Sequence, residues 1–370
     1  MATIKDGKGT LALAAFDTNA KLEKHEFGRP APGPNDVNID IQYCGMCHSD
    51  LHACNGDWGL NAFPIAPGHE IAGVVKSVGA DVKDLKVGDK VGVGCFVEAC
   101  FSCGLCEQGE QNLCRECVQT YGNPYPKGKG HDECAGYHTN GGYSTSITVR
   151  SDFVFKVPEG ISMEYVGPLL CAGITMFSPL NRHILMKEGE KPKSIGIVGF
   201  GGLGQMGVKL AKAMGCEVTV LSRSTSKKDE AAKLGAEILA HSDEEAMKAA
   251  AYSFDVILDT VSAHHEIAPM MTTLKVGGTY VCIGAFGQTF GISPIGLIFN
   301  HHKIEGSLVG GIPETQKMLE FCSEHNILPE IKVIAAKDAT DQFKALADGS
   351  AGALRAVIDM STLSDLPARA

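Results

Sequence analysis

No stretch of this 370-residue chain has the long unbroken apolar run that a membrane-crossing helix needs. Positive charge is not in excess either: 33 lysines and arginines stand against 43 aspartates and glutamates, a formal net charge of −10. A general binder of nucleic acid or of an anionic membrane needs a basic face, so neither partner is expected. The opening residues, MATIKDGKGTLALAAF, carry charge early and lack an apolar core followed by a cleavage site. No secretory leader is therefore expected, and the expected location is cytoplasmic. Internal repeats and low-complexity segments are also absent.

The chain is rich in glycine, with 44, and in cysteine, with 14. In a reducing compartment that many thiols point to metal sites rather than disulfides. Four of them, Cys100, Cys103, Cys106 and Cys114, lie in CFSCGLCEQGEQNLC with the spacing C-x2-C-x2-C-x7-C. A short loop with that spacing can surround zinc with four soft thiolates about 2.3 Å away. The bland alternative, four exposed reduced thiols, would be an oxidation hazard. A second set is scattered: Cys47 in CGMCHSD, His69 and Glu70 in PGHE, and Cys171 in PLLCAG. A set that mixes sulfur with nitrogen is the kind that leaves a coordination position open for chemistry. Taken singly, His69 reads as a satisfied polar group and Cys171 as core. The remaining cysteines, Cys44, Cys54, Cys95, Cys117, Cys134, Cys216, Cys282 and Cys322, read mostly as buried small hydrophobes.

The length implies two domains. From about residue 8 to 157, DVNIDIQYCG, EIAGVVKSVG, KVGDKVGVG and GGYSTSITVR alternate apolar with polar residues between turn signals, which predicts an irregular β domain. Residues 120–140 show no periodicity and read as a long surface loop. After Ser162, EYVGPLLCAGITMFSPLNRH has helical spacing. Then βα units follow: strands SIGIVGF, EVTVLSR, EILA, DVILDTV and TYVCIGA, with helices LGQMGVKLAKAMG and KKDEAAKLG between the first three. This predicts an α/β fold with a doubly wound parallel sheet. The expected domains are 1–165 with 310–370, and 166–309, the tail strands IKVIAA and RAVIDM returning to the first.

Gly199-Phe200-Gly201-Gly202-Leu203-Gly204 matches G-x-G-x-x-G between a predicted strand and helix, the context in which it cradles a pyrophosphate rather than forming an ordinary βα turn. An NAD-binding chain usually places a carboxylate about 20 residues on. Here the second strand ends in Ser222, Arg223, Ser224 and, further on, Lys227, and the first carboxylate is Asp229. Hydroxyls and cations suit a 2′-phosphate, so NADP(H) is expected. The alternative is a solvated helix start.

Together CGMCHSDLH, FPIAPGHEIAGVV, the cysteine cage, PLLCAGITMFSPL, GFGGLG, LSRS, DTVSAHH and GSLVGGIPETQKMLEFC span nearly the whole chain. In these motifs the chain resembles the zinc-dependent medium-chain alcohol dehydrogenases, most closely the cinnamyl alcohol dehydrogenase group of NADP-dependent aldehyde reductases. The resemblance implies a GroES-like catalytic domain beside a Rossmann cofactor domain, and two Zn2+ per chain. It assigns Cys47, His69 and Cys171 to the catalytic zinc, and Glu70 to a glutamate that approaches the metal when no substrate occupies it. It makes Ser49 and His52 the inner and outer ends of a proton relay running through the cofactor ribose, and Asp50 a carboxylate that orients the ligand histidine. It places His48, Thr175, Thr260, Gly284 and Ser307 on the cofactor with the glycine loop, and Ser222, Arg223, Ser224 and Lys227 on its phosphate. Ser49 departs from the commoner threonine but keeps the hydroxyl. The single tryptophan, Trp58, either lines the substrate pocket or packs in the core.

The implied reaction interconverts primary alcohols and aldehydes, aromatic or medium aliphatic, in a cleft between the domains, with aldehyde reduction favoured because NADPH is usually held reduced in cells. A homodimer through the sheet edge near TYVCIGAF is implied as well. Two other readings stay open: a zinc-free quinone or enone reductase, which would bind one zinc rather than two, and a zinc-organised binding protein that would consume no NADPH. The pairs His264-His265 and His301-His302 read as surface or cofactor-side groups rather than a further metal site.

Overall fold

The alternation in DVNIDIQYCG becomes the strand Asp36–Gly45. Val37, Ile39 and Ile41 point into the core while Asp40 and Gln42 face solvent, the period-two pattern of a half-buried strand. This strand is the hub of its sheet. It pairs antiparallel with Ile71–Val78, Ser146–Arg150 and, from the far end of the chain, Arg355–Asp359. The sheet runs Ile331–Ala335, Arg355–Asp359, Asp36–Gly45, Ile71–Val78, Lys90–Val93, Phe155–Lys156, with Ser146–Arg150 beside Asp36–Gly45. Two small pairs complete the strands: Thr10–Ala15 with Leu22–Phe27, and Phe96–Glu98 with Val118–Gln119.

The structure is a computed structural model that describes residues 9–59, 63–125, 134, 136–184, 192–284, 289 and 291–369. It separates into two units, Met1–Cys171 with Gly310–Ala370, and Ala172–Val309. The expected boundary at 165/166 lies within the helix Met163–Pro168; the observed one lies later, inside the π-helical turn Leu169–Gly173.

In the second unit the pairings among the described residues are all parallel. The order is Glu237–Ala240, Glu217–Ser222, Ser194–Val198, Phe254–Asp259, Leu274–Cys282, Lys303–Gly306. By order of appearance that is 3-2-1-4-5-6, the doubly wound arrangement whose ligands sit at the carboxyl ends of the strands where the order reverses. Ser194–Val198 is almost wholly buried, as a strand covered on both faces must be. Its core is Val198, Leu221, Phe254, Ile257, Ile267 and Leu274.

Two features of the first unit have no periodic signal in the sequence. One is the helix His48–Asn55, set within the β unit. It forms because Asp50 turns back to accept the Cys47 N–H at 2.9 Å, a capping contact at its start. The other is Arg29, a buried guanidinium that donates to the Ser146 carbonyl at 3.0 Å, to Gly141 O and Ser144 Oγ at 2.8 Å each, and to Asn140 O. Burial lowers its pKa to about 10. Its fork satisfies the loop carbonyls of Asn140 and Gly141 and the carbonyl of Ser146, where the strand Ser146–Arg150 begins. Arg29→Met keeps the length and strands those carbonyls, so a loss of about 3 kcal/mol in unfolding free energy is expected by chemical denaturation.

Candidate active site and metal centres

The site is built around the carboxylate of Asp50, which is fully buried. One oxygen accepts the Cys47 N–H at 2.9 Å and the Tyr143 phenol at 3.1 Å. The other accepts the Gly68 N–H at 3.0 Å and lies 3.4 Å from His69 Nδ1. Asp50 thus ties the loop bearing Cys47 to the loop bearing His69. With Nδ1 engaged, His69 turns Nε2 toward Cys171 Sγ, 3.3 Å away. Cys47 Sγ lies 4.0 Å from Cys171 Sγ. The hydrogen bond from the Cys171 thiol holds the Cys47 thiol well below its ordinary pKa. Its place at the start of a helix favours the thiolate as well.

Cys171 reaches this point from the π-helical turn Leu169–Gly173, an irregularity frequent at functional sites. The helix before it packs so closely on the strand behind the site that a Cβ on Gly167 would lie 2.1 Å from the Glu70 carbonyl oxygen. One ligand atom from each of Cys47, His69, Glu70 and Cys171 falls within 4.8 Å of all the others. Glu70 is buried, and neither of its carboxylate oxygens has a hydrogen-bond partner. Arg355 comes no closer than 3.5 Å. Burial raises the Glu70 pKa to about 7. A desolvated carboxylate without hydrogen bonds, beside two sulfurs and an imidazole nitrogen, is costly unless a cation completes the group. The residues present therefore fit zinc, with two sulfurs and one nitrogen as ligands.

Around this group the structure places Ser49 Oγ 3.6 Å from Cys47 Sγ. His52 Nδ1 pairs with Asp57 Oδ2 at 2.8 Å, and the His52 ring lies 5.4 Å from the ring of Trp58. Trp58 is 48% exposed, which removes the core-packing alternative for it. His48 Nε2 is engaged by the Leu346 carbonyl at 3.1 Å. Tyr121, Tyr143, Arg355, Asp57 and Cys95 were not legible as site residues. Cys95 accepts a hydrogen bond from Cys171 that lowers its own pKa. No spacing rule reaches these five, because each is brought in by a different loop or strand.

The four contiguous cysteines form the second group, again with all four sulfurs within 4.8 Å. Cys100 Sγ lies 3.5 Å from Cys114 Sγ and 3.9 Å from Cys106 Sγ. Tetrahedral zinc with bonds of about 2.3 Å separates its sulfurs by about 3.8 Å, so the spacing suits a closed cage. Backbone N–H groups of Ser102 and Glu116 point at the sulfurs of Cys100 and Cys114 at 3.5 and 3.4 Å, as they do around thiolates. Among the described residues these are the two groups arranged to hold a metal, and neither includes the paired histidines. His265 instead bonds the buried Asp259 at 2.9 Å, alongside Tyr280 at the same distance.

In the second unit the glycine motif follows the strand Ser194–Val198 and opens the helix Gly202–Ala213. Gly199 has φ +91°, and a Cβ on Gly204 would lie 2.2 Å from the Gly199 carbonyl oxygen. The turn therefore closes only without side chains, while Gly201 at the helix start faces open space and no side chain caps the helix. That leaves free N–H groups for a pyrophosphate. Thr260 closes the far side, its Oγ1 donating to Val198 O at 2.7 Å. Arg223 is exposed and makes no ion pair among the described residues, Ser224 Oγ lies 3.0 Å from Ser226 Oγ, and Lys227 Nζ reaches back to the Phe200 carbonyl at 3.4 Å. Ser222 carries on its carbonyl the N–H of His241 at 2.8 Å. Gly284 abuts the Val261 carbonyl, Thr175 is half-buried, and the Ser307 hydroxyl is buried without a partner. The surface suits a dinucleotide with a phosphate on its ribose.

Residues 33–159 match the model of the alcohol dehydrogenase GroES-like domain, and residues 202–324 that of the zinc-binding dehydrogenases. The chain is 44% identical over 331 residues to cinnamyl alcohol dehydrogenase 8 of Arabidopsis thaliana, covering 89% of each. It is 43% identical over 359 residues to the aldehyde reductase YahK of Escherichia coli (strain K12), covering 96% of this chain and 99% of the relative. A solved structure of CAD from Helicobacter pylori complexed with NADP(H) superposes with a TM-score of 0.86 at 38% identity, over 96% of this chain and 99% of that one. The two donor groups lead to separable losses. The wild-type protein is expected to contain two zinc ions per chain by elemental analysis, Cys103→Ser one with lowered thermal stability, and Cys171→Ser one with an activity loss greater than about 100-fold.

Proposed function

The chain belongs to the zinc-binding dehydrogenases that carry an alcohol dehydrogenase GroES-like domain, and from that membership we propose that it is a zinc-dependent, NADP(H)-dependent alcohol dehydrogenase and aldehyde reductase. Its substrates are primary alcohols and aldehydes, aromatic or medium aliphatic. The observation that carries the proposal is the convergence of Cys47, His69, Glu70 and Cys171 on one point. In this reading the unit Met1–Cys171 with Gly310–Ala370 is the catalytic domain and Ala172–Val309 the cofactor domain.

Cys47, His69 and Cys171 would hold the zinc, which would supply Lewis acidity toward a substrate oxygen, and bound NADP(H) would supply or take the hydride. The chain's own residues do the rest. Cys47 and Cys171 bring negative charge, and Asp50 keeps the His69 tautomer that presents Nε2. Ser49 Oγ, adjacent to Cys47, holds the substrate proton, and His52 exchanges it with solvent. The 2.8 Å contact to Asp57 fixes the proton on His52 Nδ1, which leaves Nε2 as the exchanging nitrogen. Glu70 would be a further carboxylate ligand for the zinc when substrate is absent, and Arg355, 3.5 Å away, faces the same carboxylate. The glycine loop and the start of the helix Gly202–Ala213 hold the pyrophosphate. Ser222, Arg223, Ser224 and Lys227 hold the 2′-phosphate, and His48, Thr175, Thr260, Gly284 and Ser307 complete the contacts. Trp58 lines the substrate pocket.

The protein works as a homodimer in this reading. The helix Pro294–Asn300 exposes Ile295, Ile298 and Phe299 by 64, 67 and 78%. Their i, i+3, i+4 spacing puts them on one face, next in sequence to the edge strand Lys303–Gly306; TYVC, expected at the edge, lies in Leu274–Cys282, one strand further in. An uncovered apolar face beside an open sheet edge invites a second copy. The zinc-free reductase and the non-catalytic binding protein are the weaker readings, because neither needs the second donor group.

Initial rates with NADPH and NADH over aromatic and aliphatic aldehydes test the activity. Reduction with NADPH, abolished by prolonged chelation, is expected; no turnover of any aldehyde sinks the proposal. Arg223→Asp is expected to cut the NADPH-over-NADH ratio of kcat/KM by about 10- to 100-fold, the worth of a charge-assisted hydrogen bond. In sedimentation, the wild type is expected to run as a dimer and Phe299→Lys as a monomer.

A further inference from the structure

Tyr121 is 3% exposed and sits on the segment that follows the strand Val118–Gln119, in a loop without any motif. Its ring stacks on His69, with centroids 5.8 Å apart and planes 28° from parallel. Its hydroxyl lies 3.3 Å from His69 Nδ1 and also hydrogen-bonds Asp50. The carboxylate of Asp50 is 3.4 Å from the same Nδ1. The N–H of this imidazole therefore faces two acceptors at nearly equal distance.

The two acceptors are not equivalent. Asp50 already receives the N–H groups of Cys47 and Gly68 and the phenol of Tyr143. As a carboxylate it can only accept. A phenol accepts the Nδ1–H and donates its own proton onward to Asp50, so it links the two groups instead of competing for one of them. The two contacts also constrain different motions. Asp50 sets the direction of Nδ1, while the Tyr121 ring lying over the imidazole sets its tilt. The Nε2 lone pair of His69 is aimed only when both are set.

We propose that Tyr121 is a positioning residue for the metal ligand His69, sharing the Nδ1–H with Asp50 and fixing the ring plane, and that it thereby sets how tightly the Cys47–His69–Cys171 group holds its metal. This rests on the reading of that group as a zinc site. Tyr143 is the internal contrast. It is buried and bonds the same carboxylate, but its ring packs against Phe343 rather than on His69.

The test uses the zinc-loaded full chain, Tyr121→Phe and Tyr143→Phe. Each variant loses one hydroxyl and keeps its ring. Zinc transfer to a colorimetric chelator separates the metal of the cage from that of the open group, and the visible bands of the cobalt-substituted protein report the ligand geometry. In Tyr121→Phe the affinity of the open group is expected to fall about 10-fold or more. Its cobalt bands shift, and the cage metal is released as in the wild type. In Tyr143→Phe the same quantities move less. Wild-type affinity and wild-type cobalt bands in Tyr121→Phe overturn the inference and leave the proposed function standing. So does an equal or larger change in Tyr143→Phe. A wild-type chain that retains zinc in the cage alone overturns both.

Discussion

A single buried anion organises the catalytic half of this protein. Asp50 sits in the first turn of a short helix, yet its hydrogen bonds reach the Cys47 and Gly68 backbone, the phenol of Tyr143 and the imidazole of His69. Burying a carboxylate costs several kcal/mol unless its lone pairs are filled. Here three of the four groups that fill them, the Cys47 N–H, the Gly68 N–H and the His69 ring, are on or next to residues that bear metal ligands. The energetic demand of one side chain thus brings two loops into register. Separate devices would have to be matched to one another; a shared acceptor matches them automatically.

The remaining members arrive through backbone geometry. Cys171 stands in a π-helical turn, where the widened helix swings one residue out of its usual position. The absence of a side chain at Gly167 lets that helix close on the backbone of Glu70, just before the strand Ile71–Val78. Arg355 enters from the far end of the sequence. Its strand pairs with the one ending at Gly45, and its guanidinium donates to the Met46 carbonyl at 3.0 Å while facing Glu70. Four segments distant in sequence meet at the ends of adjacent interior strands of one sheet, because the hub strand Asp36–Gly45 delivers its end where its neighbours deliver theirs.

The cofactor half follows a different logic. Its parallel strands end together, and the order reversal beside Ser194–Val198 opens a crevice into which backbone N–H groups point. Little depends on distant side chains. In the proposed function the recognition chemistry is local: hydroxyls and cations after the second strand, with Lys227 tethered to the Phe200 carbonyl of the glycine loop. Charge there is spread over exposed groups, which favours selectivity between phosphorylated and plain ribose over tight burial.

This contrast explains what could be read in advance. The cysteine cage, the glycine loop and the strand alternation are local patterns, since their chemistry requires fixed spacing along the chain. Cys47, His69 and Cys171 were legible only through the resemblance of whole motifs, because ligands on separate loops obey no spacing rule. The stretch 120–140, expected to be a surface loop, has no period, and of it 126–133 and 135 lie outside the described residues; its residue Tyr121 is buried against the ring of His69. The helix His48–Asn55 was likewise hidden, since a capping carboxylate holds it rather than an apolar stripe. By itself, then, the chain's order of residues determined its element types, its metal and dinucleotide chemistry and its charge preference, all set by neighbours in sequence. Only the folded state decided which hydroxyls, carboxylates and guanidinium surround the metal ligands, because those contacts depend on where strands end in space and on which buried charge must be satisfied.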